Sequence, residues 1–177
     1  MPEKETKYFI KNETSVSANN GEIGNYTGIG ASATKPEGTF EVMFASKFSN
    51  SSNSQFTEFK YTSPKIGKNI SIQSRARLIT DSKSPKSLTE RLTLNTCYKN
   101  GLINIYENAG LNSKFIVSGE NAGLTSITPT SLTGVGYNVT NNFSIYGECE
   151  ISKTYNVKSK NWGKISPAFY FGTKLTF

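Results

Sequence analysis

The chain has 177 residues and a formal net charge of +7, from 20 basic and 13 acidic residues. This is the length of a single domain that can bury a core, which excludes a miniprotein and argues against a multidomain enzyme. Hydrophobic residues make up only 35% of the chain but aromatic residues make up 12%, and that aromatic share excludes a disordered chain.

Several residue types on which enzymes and metal sites depend are scarce. The chain has no histidine, which excludes Ser-His-Asp and Cys-His hydrolysis and His-ligated zinc or haem. Asp81 is the only aspartate, and Cys97 and Cys149 are too few and too far apart for a zinc cluster or a disulfide scaffold. We therefore expect no enzymatic activity, no metal and no cofactor.

The N-terminus and the hydropathy pattern bear on how the chain meets a membrane. No apolar run approaches the roughly 18 residues of a transmembrane helix. Residues 1–6 lack the apolar centre of a signal peptide, so we expect an exported protein to be represented here in its mature form. We expect residues 1–6 to be disordered and residues 7–177 to form one domain.

Apolar and polar residues alternate with period two through much of the chain, which indicates β-strands. In chain order, the clearest runs cover residues 40–48, 70–78, 88–98, 143–151 and 165–177. In the last run, Phe169, Phe171, Leu175 and Phe177 share one face. Each run has about ten residues, the length that crosses a bilayer at a tilt of about 45°.

Turn-forming clusters separate these runs. They lie at residues 19–21, 35–38, 50–54, 64–69, 81–86, 100–101, 119–123 and 141–142. The Asn-Gly pair at 100–101 is typical of a tight hairpin, because both residues tolerate the positive φ of a type I′ turn. The sequence therefore predicts an all-β, antiparallel up-and-down meander.

The turn spacing favours twelve strands. The fragments 107–113 and 120–126 are similar, and we interpret them as two turn-to-strand transitions. Ten strands is the alternative, if residues 103–126 form one hairpin. If Phe177 and the turn at 141–142 are periplasmic, parity places the turns at 35–38, 64–69 and 100–101 at the same end.

The residues on the polar face indicate which way the sheet wraps. Small residues such as Gly28, Gly30 and Gly172 are frequent there, as a narrow lumen requires and a solvent-facing surface does not. Tyr98 and Trp162 lie near predicted strand ends, where the aromatic girdles of membrane barrels belong. These features favour a transmembrane β-barrel with its apolar face in lipid. A soluble β-sandwich surface module stays open as an alternative.

The end of the sequence resembles a known family. The strand from Ile165 to Phe177 ends in phenylalanine after apolar residues at alternate positions, and it resembles the terminal strand of bacterial outer-membrane β-barrels. The glycine-containing hairpin of residues 133–148 is similar to the penultimate hairpin of small members of that family.

The resemblance implies a location and partners. It implies an integral protein of the bacterial outer membrane, exported through the periplasm and in contact with outer-membrane lipid and lipopolysaccharide. It implies that the barrel-assembly machinery reads the terminal strand, through Phe169, Phe171, Leu175 and Phe177. We expect a monomer. Nucleic acid is not an expected partner, since the basic residues are spread along the chain.

The charges on the polar face are the candidate functional residues. Arg75, Arg77 and Arg91 are the only arginines, and they project to the polar face of two adjacent strands. Either they pair with glutamates such as Glu58, or they form a strip that attracts anions, as the resemblance to short anion-preferring porins implies. The other predicted lumen charges are Lys11, Glu13, Glu41, Lys47, Lys60, Glu148, Glu150 and Lys164.

We therefore expect a narrow passive channel for small hydrophilic, preferentially anionic solutes. The alternative is a closed barrel plugged by ion pairs, with a structural or adhesin-like surface-interaction role.

Overall fold

The computed structural model describes residues 5–50, 53–81, 86–117 and 122–177. Its elements are ten long β-strands: β1 Glu5–Ser17, β2 Ile23–Lys35, β3 Gly38–Ser49, β4 Asn53–Thr62, β5 Ile70–Asp81, β6 Ser87–Asn100, β7 Ile103–Ile116, β8 Gly123–Asn138, β9 Phe143–Asn156 and β10 Asn161–Thr176. Within the described residues, no helix is long and apolar enough to span a membrane.

The ten strands close into one antiparallel barrel. Each strand pairs with its neighbours in sequence, and β1 pairs with β10 to complete the ring. Reciprocal backbone hydrogen bonds of 2.9 Å between Tyr8 and Phe177 fasten the closing seam. The predicted antiparallel barrel is confirmed. The soluble sandwich alternative is wrong, because the strands of the described residues form one closed ladder.

The residues that the structure describes form ten strands, so the prediction of twelve is wrong and the alternative of ten is confirmed. The error lies in residues 107–113, which we interpreted as a transition from a turn to a strand. In the structure, the pairing of β6 with β7 runs without interruption from Glu107 opposite Thr96 to Ser113 opposite Glu90. This fragment is the middle of β7, and its small and polar residues alternate between the two faces of the wall.

The N-terminal boundary also differs from the prediction. Glu5 and Thr6 already belong to β1, opposite Thr34 and Ala33 of β2. Residues 1–4 of the predicted disordered segment lie outside the described residues.

The barrel wraps its apolar face outward. Phe171 and Phe177 are 60% and 62% exposed, and large aliphatic and aromatic residues are exposed on every strand. Glu13 and Glu58, by contrast, are 9% and 8% exposed, because they point to the barrel axis. This arrangement suits a protein that meets hydrocarbon outside and encloses its charges.

Strand parity fixes which turns share an end of the barrel. Turns 36–37, 63–69, 101–102 and 139–142 lie at the end that carries both chain termini, as predicted. We call this the terminal end and the opposite one the loop end. At the loop end, the pairing of β9 with β10 shifts between Trp162 and Ile165, which marks a bulge in β10.

The lumen contains a small apolar cluster of its own. Phe9, Tyr26, Met43, Ala45 and Phe56 form it, and all are at least 92% buried. These residues come from β1 to β4, so one side of the lumen is packed like a soluble core. The other side of the lumen carries mainly polar residues, with Leu132 of β8 buried among them.

Candidate functional site

The candidate site is a polar cavity of about 560 Å³ in the lumen. Alternation along each strand directs every second side chain into it. Its lining includes five basic side chains, Lys11, Lys60, Arg75, Arg77 and Arg91, and four carboxylates, Glu13, Glu58, Glu148 and Glu150. Threonine and asparagine side chains of β6 and asparagine side chains of β7 are among the other lining groups.

Two arginines face each other directly across a strand pair. Arg75 of β5 lies opposite Arg91 of β6 in the register, and both side chains line the cavity. Like charges at such a position repel each other. The pair therefore persists only where carboxylates of the lumen, or an anion, offset the repulsion.

Glu58 is shared between two arginines. Arg77 donates from Nε to Glu58 Oε2 at 2.9 Å, and its guanidinium lies 4.2 Å from the centre of the Phe56 ring. Arg75 Nη1 lies 3.7 Å from the same Glu58 oxygen. Because Arg77 makes the closer contact, Arg75 is the less fully neutralised of the two.

Arg91 reaches across the lumen. Its Nη1 lies 3.0 Å from Glu150 Oε2 on β9, and its Nη2 donates to Thr130 Oγ1 at 3.0 Å. β6 and β9 are not neighbours in the wall, so this ion pair crosses the interior.

Two tyrosines reach carboxylates on the next strand but one, along the inner wall. Tyr106 of β7 donates to Glu148 Oε1 at 2.6 Å, and Tyr146 of β9 donates to Glu13 Oε2 at 2.6 Å. Lys11 Nζ lies 3.0 Å from Glu13 Oε2. Glu148 has no basic partner within 4 Å among the described residues, so its carboxylate depends on the tyrosine.

A second charge cluster lies toward the terminal end. Glu41 of β3 accepts a hydrogen bond of 3.0 Å from Lys174 of β10 and also pairs with Lys60 of β4. Lys174 Nζ lies 4.2 Å from the centre of the Phe9 ring. A cavity of about 110 Å³ lies among these residues, and Lys11, Glu58 and Lys60 line both cavities.

Lumen glycines make room for aromatic rings. Tyr106 lies opposite Gly134 in the register, and a Cβ on Gly134 would fall 2.4 Å from the ring. Tyr146 lies opposite Gly172, where a Cβ would fall 2.3 Å from the ring. Both rings therefore rest flat on the wall, and that position brings each hydroxyl to its carboxylate.

The structure brings most of the predicted lumen charges together. Arg75, Arg77, Arg91, Glu58, Glu148 and Glu150 line the central cavity, and Glu41 lines the smaller one. Lys47 lies in the lumen-facing phase of β3, opposite Tyr26 and Ser54, but it lines neither cavity.

Lys164 differs from its predicted place. It is exposed beside the bulge of β10 at the loop end and does not line a lumen cavity. The bulge shifts the pairing there, so the alternation of the rest of β10 cannot be extended to this residue.

Sequence reasoning missed the aromatic and amide part of the site. Tyr26, Tyr106 and Tyr170 line the cavity, as do Asn108 and Asn112. The signal was present, because these residues are in phase with the lumen charges of their strands. No group of three or more Cys, Asp or Glu side chains that could hold a metal occurs in the part of the chain that the structure describes.

The predicted assembly residues lie on the outer surface. Phe169, Phe171, Leu175 and Phe177 are each between 42% and 62% exposed on the outward face of the closing strand. Their recognition by the assembly machinery stays a prediction.

The fold matches solved outer-membrane β-barrels. The NanC porin aligns with a TM-score of 0.54 at 10% identity, over 94% of this chain and 98% of that one. The KdgM porin in complex with disordered oligogalacturonate aligns with a TM-score of 0.46 at 15% identity, over 98% and 99% of the two chains. Neisserial surface protein A aligns with a TM-score of 0.42 at 16% identity, over 97% and 96%.

No protein-family model and no curated protein matches the sequence. The likeness to NanC shows the fold, a closed β-barrel of the bacterial outer-membrane type.

Proposed function

We propose that the protein is a narrow passive channel of the bacterial outer membrane for small hydrophilic solutes, with a preference for anions, and that it has no catalytic role. The observation that carries this proposal is the opposed pair Arg75 and Arg91 on the wall of a polar cavity. Two guanidiniums at neighbouring positions form a local positive potential that an anion relieves.

The path of the solute follows from the asymmetry of the lumen. The apolar cluster of Phe9, Tyr26, Met43, Ala45 and Phe56 narrows the side formed by β1 to β4. A hydrated ion therefore passes along β5 to β9, where the arginines line the cavity together with Thr89, Asn95 and Asn108. Amide and hydroxyl groups there replace part of the hydration shell while the arginines attract the charge.

The test is reversal potential in planar bilayers under a salt gradient. Replacing Arg75, Arg77 and Arg91 by serine leaves two basic side chains against four carboxylates on the cavity wall. The anion preference should then invert to a cation preference. The matched control replaces three exposed lysines of the terminal end, Lys65, Lys68 and Lys99, by serine. If both triple variants keep the wild-type selectivity, the arginines do not select the ion.

A plugged barrel is the second candidate, because two ion pairs span the interior between strands that have two other strands between them. They are Arg91–Glu150 and Lys174–Glu41. Such contacts could close the interior of a barrel with a structural or surface-interaction role. Single-channel recording separates the two candidates, since a plugged barrel gives no unitary current.

A further inference from the structure

A row of polar side chains crosses the lipid-facing surface. Asn12 of β1 lies opposite Thr173 of β10 on one side and Thr27 of β2 on the other. The row continues through Ser46 of β3 to Gln55 of β4. Each of these residues alternates with lumen-facing neighbours, so its side chain points outward. Together with Thr14 and Asn25, these residues are called the polar belt.

Hydrogen bonds within the polar belt leave groups without partners. Asn12 Nδ2 donates to Thr27 Oγ1 at 2.8 Å, and Asn25 Nδ2 donates to Thr14 Oγ1 at 2.9 Å. Asn12 Oδ1 accepts only a long bond of 3.5 Å from Asn25. Among the described residues, nothing donates to Asn25 Oδ1, and the two threonine hydroxyls have no acceptor.

These groups lie at the depth of the hydrocarbon. Asn12 is opposite Thr173, which is four residues from the terminal Phe177, about 10 Å along the axis of a tilted strand. The apolar band of such barrels is about 25 Å tall, so Asn12 falls well inside it. Lipid chains offer no hydrogen bonds there, and an unsatisfied amide or hydroxyl is costly.

The outer wall is concave beside the polar belt. A depression of about 450 Å³ is lined by Thr27, Ser46 and Gln55 together with the flanking apolar residues Ile29 and Phe44. A mixed polar and apolar depression fits a protein surface better than it fits acyl chains.

We infer that the polar belt is the contact surface of a homodimer in the membrane. It contains both a spare acceptor, Asn25 Oδ1, and spare donors, the hydroxyls of Thr14 and Thr27. A copy related by a two-fold axis presents the same set, so each barrel satisfies the groups that the other leaves open. The proposal is a pair of barrels, each with its own lumen, where the sequence led us to expect a monomer.

The experiment measures association in lipid. The protein carrying Cys97→Ser, Cys149→Ser and Ser159→Cys is labelled with one dye at the β9–β10 turn and reconstituted into vesicles. Single-molecule photobleaching then counts the dyes in each fluorescent spot. Most spots should bleach in two steps, as a dimer requires. Asn12→Leu combined with Asn25→Leu should weaken association by about tenfold or more, since it removes the donors and acceptors at the centre of the belt.

The matched control is Ser131→Leu, an exposed outward residue of β8 on the other side of the barrel, which should leave the dimer intact. Heat-modifiable migration in detergent gels checks that every variant is a folded barrel. One-step bleaching of the parent protein at all lipid dilutions would overturn the inference, as would a dimer that survives the double leucine change unweakened.

Discussion

The fit between Tyr106 and Gly134 gives a sharp stability prediction. A methyl group on Gly134 would lie 2.4 Å from Cε2 and Cζ of the Tyr106 ring and 2.7 Å from its hydroxyl oxygen. Such distances are far below van der Waals contact, so Gly134→Ala must push the ring off the wall. The ring then loses the 2.6 Å hydrogen bond to Glu148, whose carboxylate has no basic partner among the described residues.

Two contributions set how much stability Gly134→Ala should cost. Overpacking a filled site costs about 1 to 3 kcal/mol. Losing a hydrogen bond to a charged group costs about 1.5 to 3 kcal/mol, less where water of the lumen replaces it. We therefore expect Gly134→Ala to lower the free energy of unfolding by about 2 to 5 kcal/mol.

Gly136 provides the matched control. It lies two residues along β8 in the same lumen-facing phase, but a Cβ there would meet nothing closer than 3.8 Å. Gly136→Ala should change the free energy of unfolding little, and the lower backbone entropy of the unfolded chain favours the variant by about 0.4 to 1 kcal/mol. Urea unfolding in lipid vesicles, followed by the fluorescence of the single tryptophan, Trp162, measures both variants.

A double-mutant cycle tests the cause. If the Tyr106 ring is what the new methyl group meets, Gly134→Ala should cost far less in a Tyr106→Ala background. Equal stabilities of the Gly134 and Gly136 variants, within about 0.5 kcal/mol, would refute the reasoning. So would a cost that is the same with and without the ring.

Three further measurements address the lipid face, the lumen and the support of its cations. Phe171 lies about 15 Å from the terminal Phe177 along the barrel axis, so Phe171→Lys should lower the free energy of unfolding in vesicles by about 2 to 4 kcal/mol. Ile165→Lys, near the loop end, should lower it by about 0 to 1 kcal/mol. Equal costs would contradict the assigned depth. A hydrophilic, membrane-impermeant thiosulfonate should modify Cys97, because this thiol lines the cavity, and should leave the lipid-facing Cys149 unmodified. Protection of both thiols would indicate a plugged lumen. Phe56→Leu should lower the free energy of unfolding by less than the roughly 3 to 5 kcal/mol typical of Phe→Ala in a core. It should also weaken the anion preference measured by reversal potential, because the ring under Arg77 is lost. Unchanged selectivity would argue against that support.

The direction in which side chains point could be predicted from sequence, and the number of strands could not. Alternation with period two is enough to place Phe169 and Phe171 on one face of β10 and Tyr170 and Gly172 on the other, because a strand has only two faces. Turn composition is weaker evidence for where one strand ends and the next begins. The Asn-Ala-Gly sequence at 108–110 is typical of a turn, yet the flanking strands β6 and β8 hold it extended by pairing along its whole length.

The contacts across the lumen were beyond sequence reasoning for a different reason. Which residue of β6 meets which residue of β9 depends on the stagger of the whole barrel, and no local pattern encodes it. Arg91 and Glu150 could each be assigned to the lumen from their own strands. Their pairing at 3.0 Å follows only once ten strands have closed with a particular register.

The apolar side of the lumen supports the polar side. Three of the lumen cations lie over aromatic rings of the apolar cluster. The distances to the ring centres are 4.2 Å from Arg77 to Phe56, 4.2 Å from Lys174 to Phe9 and 5.3 Å from Lys11 to Tyr26. Ring faces attract cations without neutralising them. Each of these cations also pairs with a carboxylate, Arg77 with Glu58, Lys174 with Glu41 and Lys11 with Glu13. The buried rings therefore help to hold these ion pairs in position, which explains why a channel lumen contains a cluster of the kind that fills a soluble core. Arg75, at 3.7 Å from the Glu58 oxygen that Arg77 contacts more closely, keeps more of its charge for the cavity.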